Sequence, residues 1–483
     1  MTEPRAPSLL DALVPIVVLV ILLAGSVYLF GSDAIGGATQ IVLVVAAAVA
    51  ALIAVRNGHP WRDVERAIIA GIGTAMGAIL ILLAVGSLIG TWLLAGTVPS
   101  LIYYGLQLLN PTIFYAATCL ICAVSALSIG SSWTVAGTLG VGLIGVALGF
   151  GLSPAITAGA VVSGVYFGDK MSPLSDTTNL APAVAGTDIF THIRHMVWTT
   201  GPSFLIALVL FAIVGLRTTV EIDTSALQDT TQTLTEIFNI TPLALIPLLV
   251  VFIMAMRKFP PLPTILTGAM LGGVTAVILQ PDAVIALAAS PGLPPFLAMT
   301  KGVWTALASG YVSTTGVVAV DDLLSRGGMA SMLTTIWLII CALSFGAILE
   351  HAGMLERLIR AALRTAHSTG GLIFTTAVTC IGCNVVAADQ YISIVLPGRM
   401  YKAEYRRRGL DPRNLSRVIE DCGTLTSPLV PWNTCGAYMS ATLGVATIAY
   451  LPFAFFNLIN PVVSVLYGAF GITITRLEPT TDG

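Results

Sequence analysis

From Ala67 to Gly168 the chain carries no Asp, Glu, Lys or Arg, and a second such run extends from Cys422 to Thr475. A membrane-crossing helix needs about 20 apolar residues, so the first run alone holds several crossings. Backbone inside a bilayer must satisfy its own hydrogen bonds, which leaves helices or closed barrels. The apolar stretches are continuous and do not alternate as barrel strands do. The expected fold class is therefore an all-α polytopic membrane protein. Composition agrees: 22 basic and 24 acidic residues in 483 are far fewer than the quarter typical of soluble chains. A net charge of −2 offers no basic surface for nucleic acid. The seven cysteines all lie in apolar segments and read as small buried residues, not a disulfide framework. The apolar run from Ala12 to Phe30 is too long for a signal-peptide core and reads as a retained first helix.

Candidate spans fall near 12–30, 36–55, 67–95, 197–216, 242–256, 262–279, 329–350 and 451–472, with two irregular regions at 112–187 and 371–447. Basic residues collect on cytoplasmic loops. Arg56, Arg62, Arg66, Arg194, Arg257, Lys258, Arg357, Arg360, Arg364 and the stretch from Arg399 to Arg417 all fall on one side. The other side keeps only Arg217, Lys301 and Arg326. It collects Asp33, Glu221, Asp223, Asp229, Glu236, Asp282, Asp321 and Asp322. Both termini are expected in the cytoplasm and the chain in the cell membrane. His192, His195 and the Glu350-His351 pair are expected at that solvated interface. Region 301–320 reads either as a surface helix or as a further re-entrant element.

The chain also resembles itself at an offset of about 257–261 residues. Ala95-Gly96 matches Ala352-Gly353, the Cys-x-x-Cys of 118–122 matches that of 379–383, Pro154 matches Pro412, and Ser172-Pro-Leu174 matches Ser427-Pro-Leu429. Loops 97–111 and 149–153 are uncharged, whereas their counterparts 354–368 and 399–417 are the most basic parts of the chain. Corresponding loops therefore face opposite sides of the membrane, and the repeats are inverted. Inverted repeats mark secondary transporters that alternate access around a midplane site. The expected organisation is two N-terminal helices (1–66), a first repeat (67–216), a linker with intervening helices (217–328), a second repeat (329–472) and a cytoplasmic tail (473–483).

Within each repeat the spacing predicts a hairpin (112–150 and 371–400, the latter with its tip near 387–391) and a discontinuous helix. Pro173 interrupts the first broken helix, and Pro428 and Pro431 the second. Irregular backbone at membrane depth is tolerated only where it lines a site or is packed in protein. Asp169 falls about 22 Å along the helix that starts at Pro154, near mid-membrane. Ionisable groups there usually mark ion paths. Asp169 and Asp176, with Ser172, Thr177 and Asn179, form the carboxylate-plus-hydroxyl set that a small hard cation such as Na⁺ requires. A desolvated carboxylate also takes protons near neutrality, so Na⁺ and H⁺ can compete for one group. The second break offers Glu420, Asp421, Thr424, Ser427, Asn433 and Thr434. The hairpin tips offer Asn384 and Asp389 on one side, Ser128 and Ser131 on the other. Lys170 is expected to pair with Asp169 or Asp176. Alternatives weigh against each: Asp176 as a helix cap, Asp389 as a turn residue, Glu420 and Asp421 as interfacial partners of Arg413 and Arg417.

The stretch Gly168-Asp-Lys-Met-Ser-Pro-Leu-Ser-Asp-Thr-Thr-Asn-Leu-Ala181 resembles the signature of NhaC-type sodium/proton antiporters. So do Ser325-Arg-Gly-Gly-Met329, Glu420-Asp-Cys-Gly-Thr424 and Pro431-Trp-Asn-Thr-Cys-Gly436, the likeness covering roughly 60–470. That resemblance implies a scaffold and a moving transport domain, elevator-like alternation and a homodimer in lipid. Na⁺ and H⁺ are then the cargo, and no cofactor is expected. It extends to exchangers of malate against lactate and of amino acids, which would need a fixed cation at the site. Lys170, beside Asp169, is the only candidate, so inorganic cation exchange is favoured. An intramembrane aspartyl protease built on Asp169 and Asp389 is disfavoured, because Val165-Tyr-Phe-Gly-Asp169 lacks the first glycine of a Gly-x-Gly-Asp motif. No phosphate-binding loop or familiar hydrolase motif occurs either. A passive channel would show downhill flux without proton coupling.

The inversion is directly testable. Single cysteines placed within 97–111 and within 354–368 of a cysteine-free chain should react with impermeant reagents from opposite sides. Labelling from the same side would end this reading.

Overall fold

A computed structural model of the chain describes residues 4–218, 224–313, 321 and 324–477. Glu221, Asp223 and Asp322, used above for sidedness, lie outside these residues, as do the side chains of Asp33 and Asp229 and residues 314–320. Among the described residues all regular structure is helical, apart from two isolated bridges, Tyr311 with Arg326 and Leu410 with Arg476. Nine of these helices are long and apolar enough to cross a membrane, or up to eleven if each sharply bent pair counts as one span.

Helix α1 (Leu9–Phe30) is started by a reciprocal cap between Ser8 and Asp11. It is followed by α2 (Ala38–Arg56). The run 67–95 is not one span. Helix α3 (Trp61–Thr74) ends where Gly71, Gly73 and Thr74 weaken it, and the Thr74 hydroxyl donates to the carbonyl of Gly71. The membrane helix proper, α4, starts afresh at Met76 and ends at Leu94.

The first repeat then runs through a short helix α5 (Thr97–Leu108), an arm α6 (Phe114–Ile129), and a return arm of α7 (Ser132–Val135) and α8 (Val141–Gly149) joined by a π-turn. It closes with α9 (Pro154–Met171) and the ten-residue α10 (Asp176–Ala185). Intervening helices are α11 (Ile189–Arg217), α12 (Thr224–Ile237), α13 (Ile246–Met256), α14 (Pro261–Leu279), α15 (Pro281–Ala288) and α16 (Pro295–Ser309). The first part of the undecided region 301–320 thus belongs to α16, which packs on α4: a Cβ at Gly90 would lie 2.2 Å from the Ala306 carbonyl oxygen.

After α17 (Leu333–His351) the same order returns: a short α18 (Met354–Leu363), arms α19 (Thr369–Val386) and α20 (Gln390–Arg407), then α21 (Pro412–Ile419) running into a π-turn at Glu420–Thr424. The ten-residue α22 (Thr434–Leu443) follows, then α23 (Thr447–Tyr450) and α24 (Phe455–Phe470). Backbone landmarks repeat with the helices. Left-handed residues pair as Gly96 with Gly353, Gly130 with Ala388, Gly151 with Gly409 and Gly186 with Gly444, each pair 257 or 258 positions apart. The Cys-x-x-Cys match at 261 is one helical turn out of this register, and all seven cysteines are buried and unpaired. The second hairpin turns at Ala387–Asp389 as its spacing predicts. Its arms are 18 residues each, about 27 Å, because α20 continues past Gly398 to Arg407.

Helix α9 lies directly on α6 because Gly164 and Gly168, one turn apart, face it. A Cβ on either would come within 2.2 Å of the carbonyl oxygens of Cys119 and Ala123. Gly164→Val should therefore lower the melting temperature of the detergent-solubilised protein, at a cost of about 1–3 kcal/mol or more. Gly382→Ala, at a position open on all sides, should not. Equal melting of the two variants would show that the α6–α9 contact is not close.

Candidate functional site

Two of the largest fully buried side chains, Lys170 and Arg417, are charged. Both stand beside the helix interruptions. The first begins where α9 ends at Met171. Pro173 blocks continuation, and Ser175 caps α10. Asp169, on the last turn of α9, is buried, and one carboxylate oxygen accepts from the hydroxyl (2.6 Å) and amide (3.2 Å) of Ser132. The break is thereby pinned to the first hairpin tip. The other carboxylate oxygen of Asp169 is buried with no hydrogen-bond partner. Asp176 opens α10 with an exposed carboxylate, held by its neighbouring amide at Thr177 and by the hydroxyl of Tyr391 from the second hairpin tip. Asp176 and Ser175 are also electrostatic neighbours of Asp169.

Some freed backbone is already occupied. The Thr178 hydroxyl donates toward the carbonyls of Asp169 and Lys170 at 3.2 and 3.0 Å. Ser172 is buried and accepts from the Leu174 amide, and Thr177 is buried beside Ser175. The Asn179 side chain is exposed and donates to the carbonyls of Pro173 and Ser175. Ser131 caps α7 through the Thr134 amide. Ser128 lies on the exposed side of α6 and donates to the Val124 carbonyl at 2.8 Å, apart from the cluster.

The second break is knitted to the second tip. Asn384 donates to the Gly423 carbonyl (2.6 Å) and to the Thr426 hydroxyl (2.9 Å), while Asn433 caps α22 and donates to the Asn384 side chain (3.1 Å). The Thr434 amide donates to the carbonyl of Ala388, and buried Asp389 caps α20 through the Ile392 amide at 3.0 Å. Ser427 donates to the Thr424 carbonyl and the Gln390 side chain.

The charges do not pair as adjacency in sequence predicts. Lys170 forms its ion pair with Asp421 of the other repeat, both side chains fully buried, and not with Asp169 or Asp176. The Thr199 hydroxyl on α11 also donates toward Asp421. Glu420 is fully buried, neither carboxylate oxygen has a hydrogen-bond partner, and its electrostatic neighbours include Lys170, Thr424, Asp169 and Thr177. Neither acid is an interfacial partner of Arg413, which pairs with Asp411. Arg417 donates to Thr473 and is an electrostatic neighbour of Asp421. His192 and His195 are buried, not solvated: α11 packs against α21, where His192 meets the Ser416 hydroxyl at 2.7 Å.

Two contacts escaped the sequence reading. Trp133, three residues past the first tip glycine, stacks on Tyr438 of α22 at 3.9 Å. Tyr391, three residues past Ala388, reaches Asp176 of α10. Each tip thus touches the broken helix of its own repeat and that of the other. The signal was available, because these two aromatics are 258 positions apart, the spacing of the tips themselves.

Among the described residues no three His, Cys, Asp or Glu side chains converge as a metal site. A cation here would be held by one or two carboxylates with hydroxyl and carbonyl oxygens, the ligand set of a small hard cation. Asp169, Glu420 and Asp421 are buried together with Lys170 and Arg417, and among these five side chains the ion pair is that of Lys170 with Asp421.

Paired hairpins, two broken helices and a buried ionisable cluster in a helical membrane protein are the layout in which secondary transporters place their sites. The profile of the Na⁺/H⁺ antiporter family matches residues 164–472. The chain is 41% identical over 438 residues to the Na⁺/H⁺ antiporter NhaC of Alkalihalophilus pseudofirmus, covering 90% of this chain and 91% of that one. It is 35% identical to the malate-2H⁺/Na⁺-lactate antiporter of Bacillus subtilis (98% and 96% covered) and 34% identical to the arginine/ornithine antiporter ArcD of Halobacterium salinarum (98% and 94%). The chain belongs to the Na⁺/H⁺ antiporter family, and exchange of Na⁺ against H⁺ is the activity that this membership gives it.

The inter-repeat ion pair has a measurable consequence. Lys170→Met leaves Asp421 buried and unmatched, which should cost about 3–5 kcal/mol, whereas Lys170→Met with Asp421→Leu should recover most of it. Thermal melting in detergent reads both. A single variant as stable as the parent would contradict the pairing.

Proposed function

We propose that Na⁺ and H⁺ compete for a carboxylate site centred on Asp169 and Asp176 at the first break, completed by residues of the second. The observation that carries this reading is the buried carboxylate surplus beside a broken helix. One oxygen of Asp169 and both of Glu420 have no hydrogen-bond partner, in a place where a bare charge is costly. Either a proton or one monovalent cation removes that cost, so binding of one excludes the other. Ser172, Thr177 and Ser131 supply neutral oxygens near Asp169. Asn384, Thr424, Ser427, Asn433, Thr434 and Asp389 hold the second break and tip in the matching shape. Lys170 fixes Asp421, which withdraws it from binding. That commitment also withdraws Lys170, the cation beside the first break, from an organic carboxylate, which supports an inorganic ion as cargo.

The repeats, 67–216 and 329–472, alternate the site between the two faces by elevator-like displacement of the hairpins and broken helices. The N-terminal helices and the intervening helices of 217–328 act as the static part, in a homodimer embedded in lipid of the cell membrane. Support for cytoplasmic termini comes from the basic loops at Arg56–Arg66, Arg194, Arg257–Lys258 and Arg357–Arg417.

Reconstituted into liposomes with an internal pH dye, the protein should move protons when Na⁺ is added and not when malate, lactate or amino acids are added alone. Asp169→Asn, Asp176→Asn and Glu420→Gln should each abolish that signal while the protein still incorporates. Retention of parental exchange by Asp169→Asn and Asp176→Asn together would refute the assignment. A response that requires malate or an amino acid would replace the substrate.

A further inference from the structure

The two repeats differ sharply at one place outside the site. In the first, the short helix α5 lies flat on the return arm α8. Gly105 meets Val146, Gly142 meets Leu101 and Gly149 meets Leu106, each at a separation that a Cβ would violate or crowd. At the 257–258 spacing, the counterparts of Val146 and Gly149 are Glu404 and Arg407. These cannot pack flat against α18, and the wedge stays open as a cavity of about 450 Å³. Its polar lining is Arg360, Arg364, His367, Glu404, Arg407 and Arg408.

The lining is short of negative charge. Glu404 is shared between Arg407, which holds it with two bonds of 2.7 and 2.8 Å, and Arg408 at 2.6 Å. Arg360 pairs with Glu356 outside the cavity, and Arg364 has no acidic partner among the described residues. Four guanidinium groups therefore face two carboxylates. Arg408 also donates to the carbonyls of Ala366 and Ser368, which fixes the cavity floor to the start of α19. From there an exposed apolar stripe descends that helix: Phe374, Val378 and Ile381. Phe374 lies six residues past Ser368, about 9 Å along the axis. A basic cavity above an apolar stripe has the polarity of a phospholipid.

We propose that this wedge between α18 and the hairpin α19–α20 binds the headgroup of an anionic phospholipid, with Arg364 and Arg407 on its phosphate and an acyl chain along Phe374, Val378 and Ile381. Guanidinium forks suit phosphate oxygens, and basic pockets between membrane helices favour anionic headgroups. A free phosphate would satisfy the arginines but would leave the stripe without a role. The proposal does not depend on which ion the site exchanges. It does imply that a lipid joins the short helix to the hairpin in the second repeat, as direct packing joins them in the first.

The test is titration of phosphatidylglycerol and of phosphatidylcholine into delipidated full-length protein, read by native mass spectrometry. Phosphatidylglycerol should bind in preference. Arg364→Gln with Arg407→Gln should weaken it by about tenfold or more, while Arg56→Gln with Arg66→Gln, also basic but remote in sequence, should not. In the unmodified protein, phosphatidylglycerol and not phosphatidylcholine should slow amide exchange across residues 366–371, a readout that survives if the variant fails to fold. Equal binding of the two lipids, or equal loss in both double variants, would overturn the proposal. So would displacement of the lipid by inorganic phosphate, which would make the wedge a soluble-anion site.

Discussion

The ion pair between Lys170 and Asp421 is the constraint around which the centre of this protein is arranged. It joins the end of α9 to the π-turn after α21, and neither partner reaches solvent. A buried pair of this kind contributes little net stability over an apolar contact, yet it tolerates no alternative register, because either charge alone would be left bare. The two broken helices are therefore held side by side by a contact that specifies geometry. Asp169 and Glu420, each one position before a member of that pair, are carried into the same place.

The tips follow from the same need. A helix broken inside a membrane exposes amides and carbonyls that must find partners within the protein. Here the second hairpin tip provides them, with the Ala388 carbonyl accepting from the Thr434 amide and Asn384 donating to the Gly423 carbonyl, while Ser132 of the first tip holds the Asp169 carboxylate. Trp133 and Tyr391 then cross to the opposite repeat. The result is four interrupted segments that support one another, with polar side chains on otherwise apolar helices spent mostly on closing the backbone. Thr178 and Asn179 illustrate this, since the Thr178 hydroxyl and the Asn179 amide nitrogen each donate to carbonyls of their own break.

The helical class, the breaks at Pro173 and Pro428, and the second tip were legible because charge exclusion, proline and length act locally. The division of 67–95 into α3 and α4 was less so, since an apolar average conceals the Gly71–Thr74 weakness. Pairing was not legible at all. Lys170 sits beside Asp169 in the chain, but a helix directs adjacent residues roughly 100° apart, so the neighbour in sequence is not the neighbour in space. Likewise, His192 and His195 precede a membrane helix and look interfacial, but α11 packs against α21 and buries them. Long-range partners depend on how helices dock, and composition carries no record of that.

The repeat also explains where the two halves are free to differ. At the centre, tip and break must fit their own repeat and the other, so positions such as Gly130 and Ala388, or the caps Ser175 and Asn433, keep the same backbone with different side chains. At the periphery no such double fit applies. There the first repeat has glycines that let α5 lie on α8, while the second has Glu404 and Arg407 and an open wedge. If the halves are inverted, as the distribution of basic loops suggests, they face opposite surfaces, and a basic rim is favoured on only one of them. The difference in outer packing is what such an arrangement predicts. The shared core keeps its backbone landmarks at a spacing of 257 or 258 positions, and that repetition is the symmetry on which the proposed alternation of a single site rests.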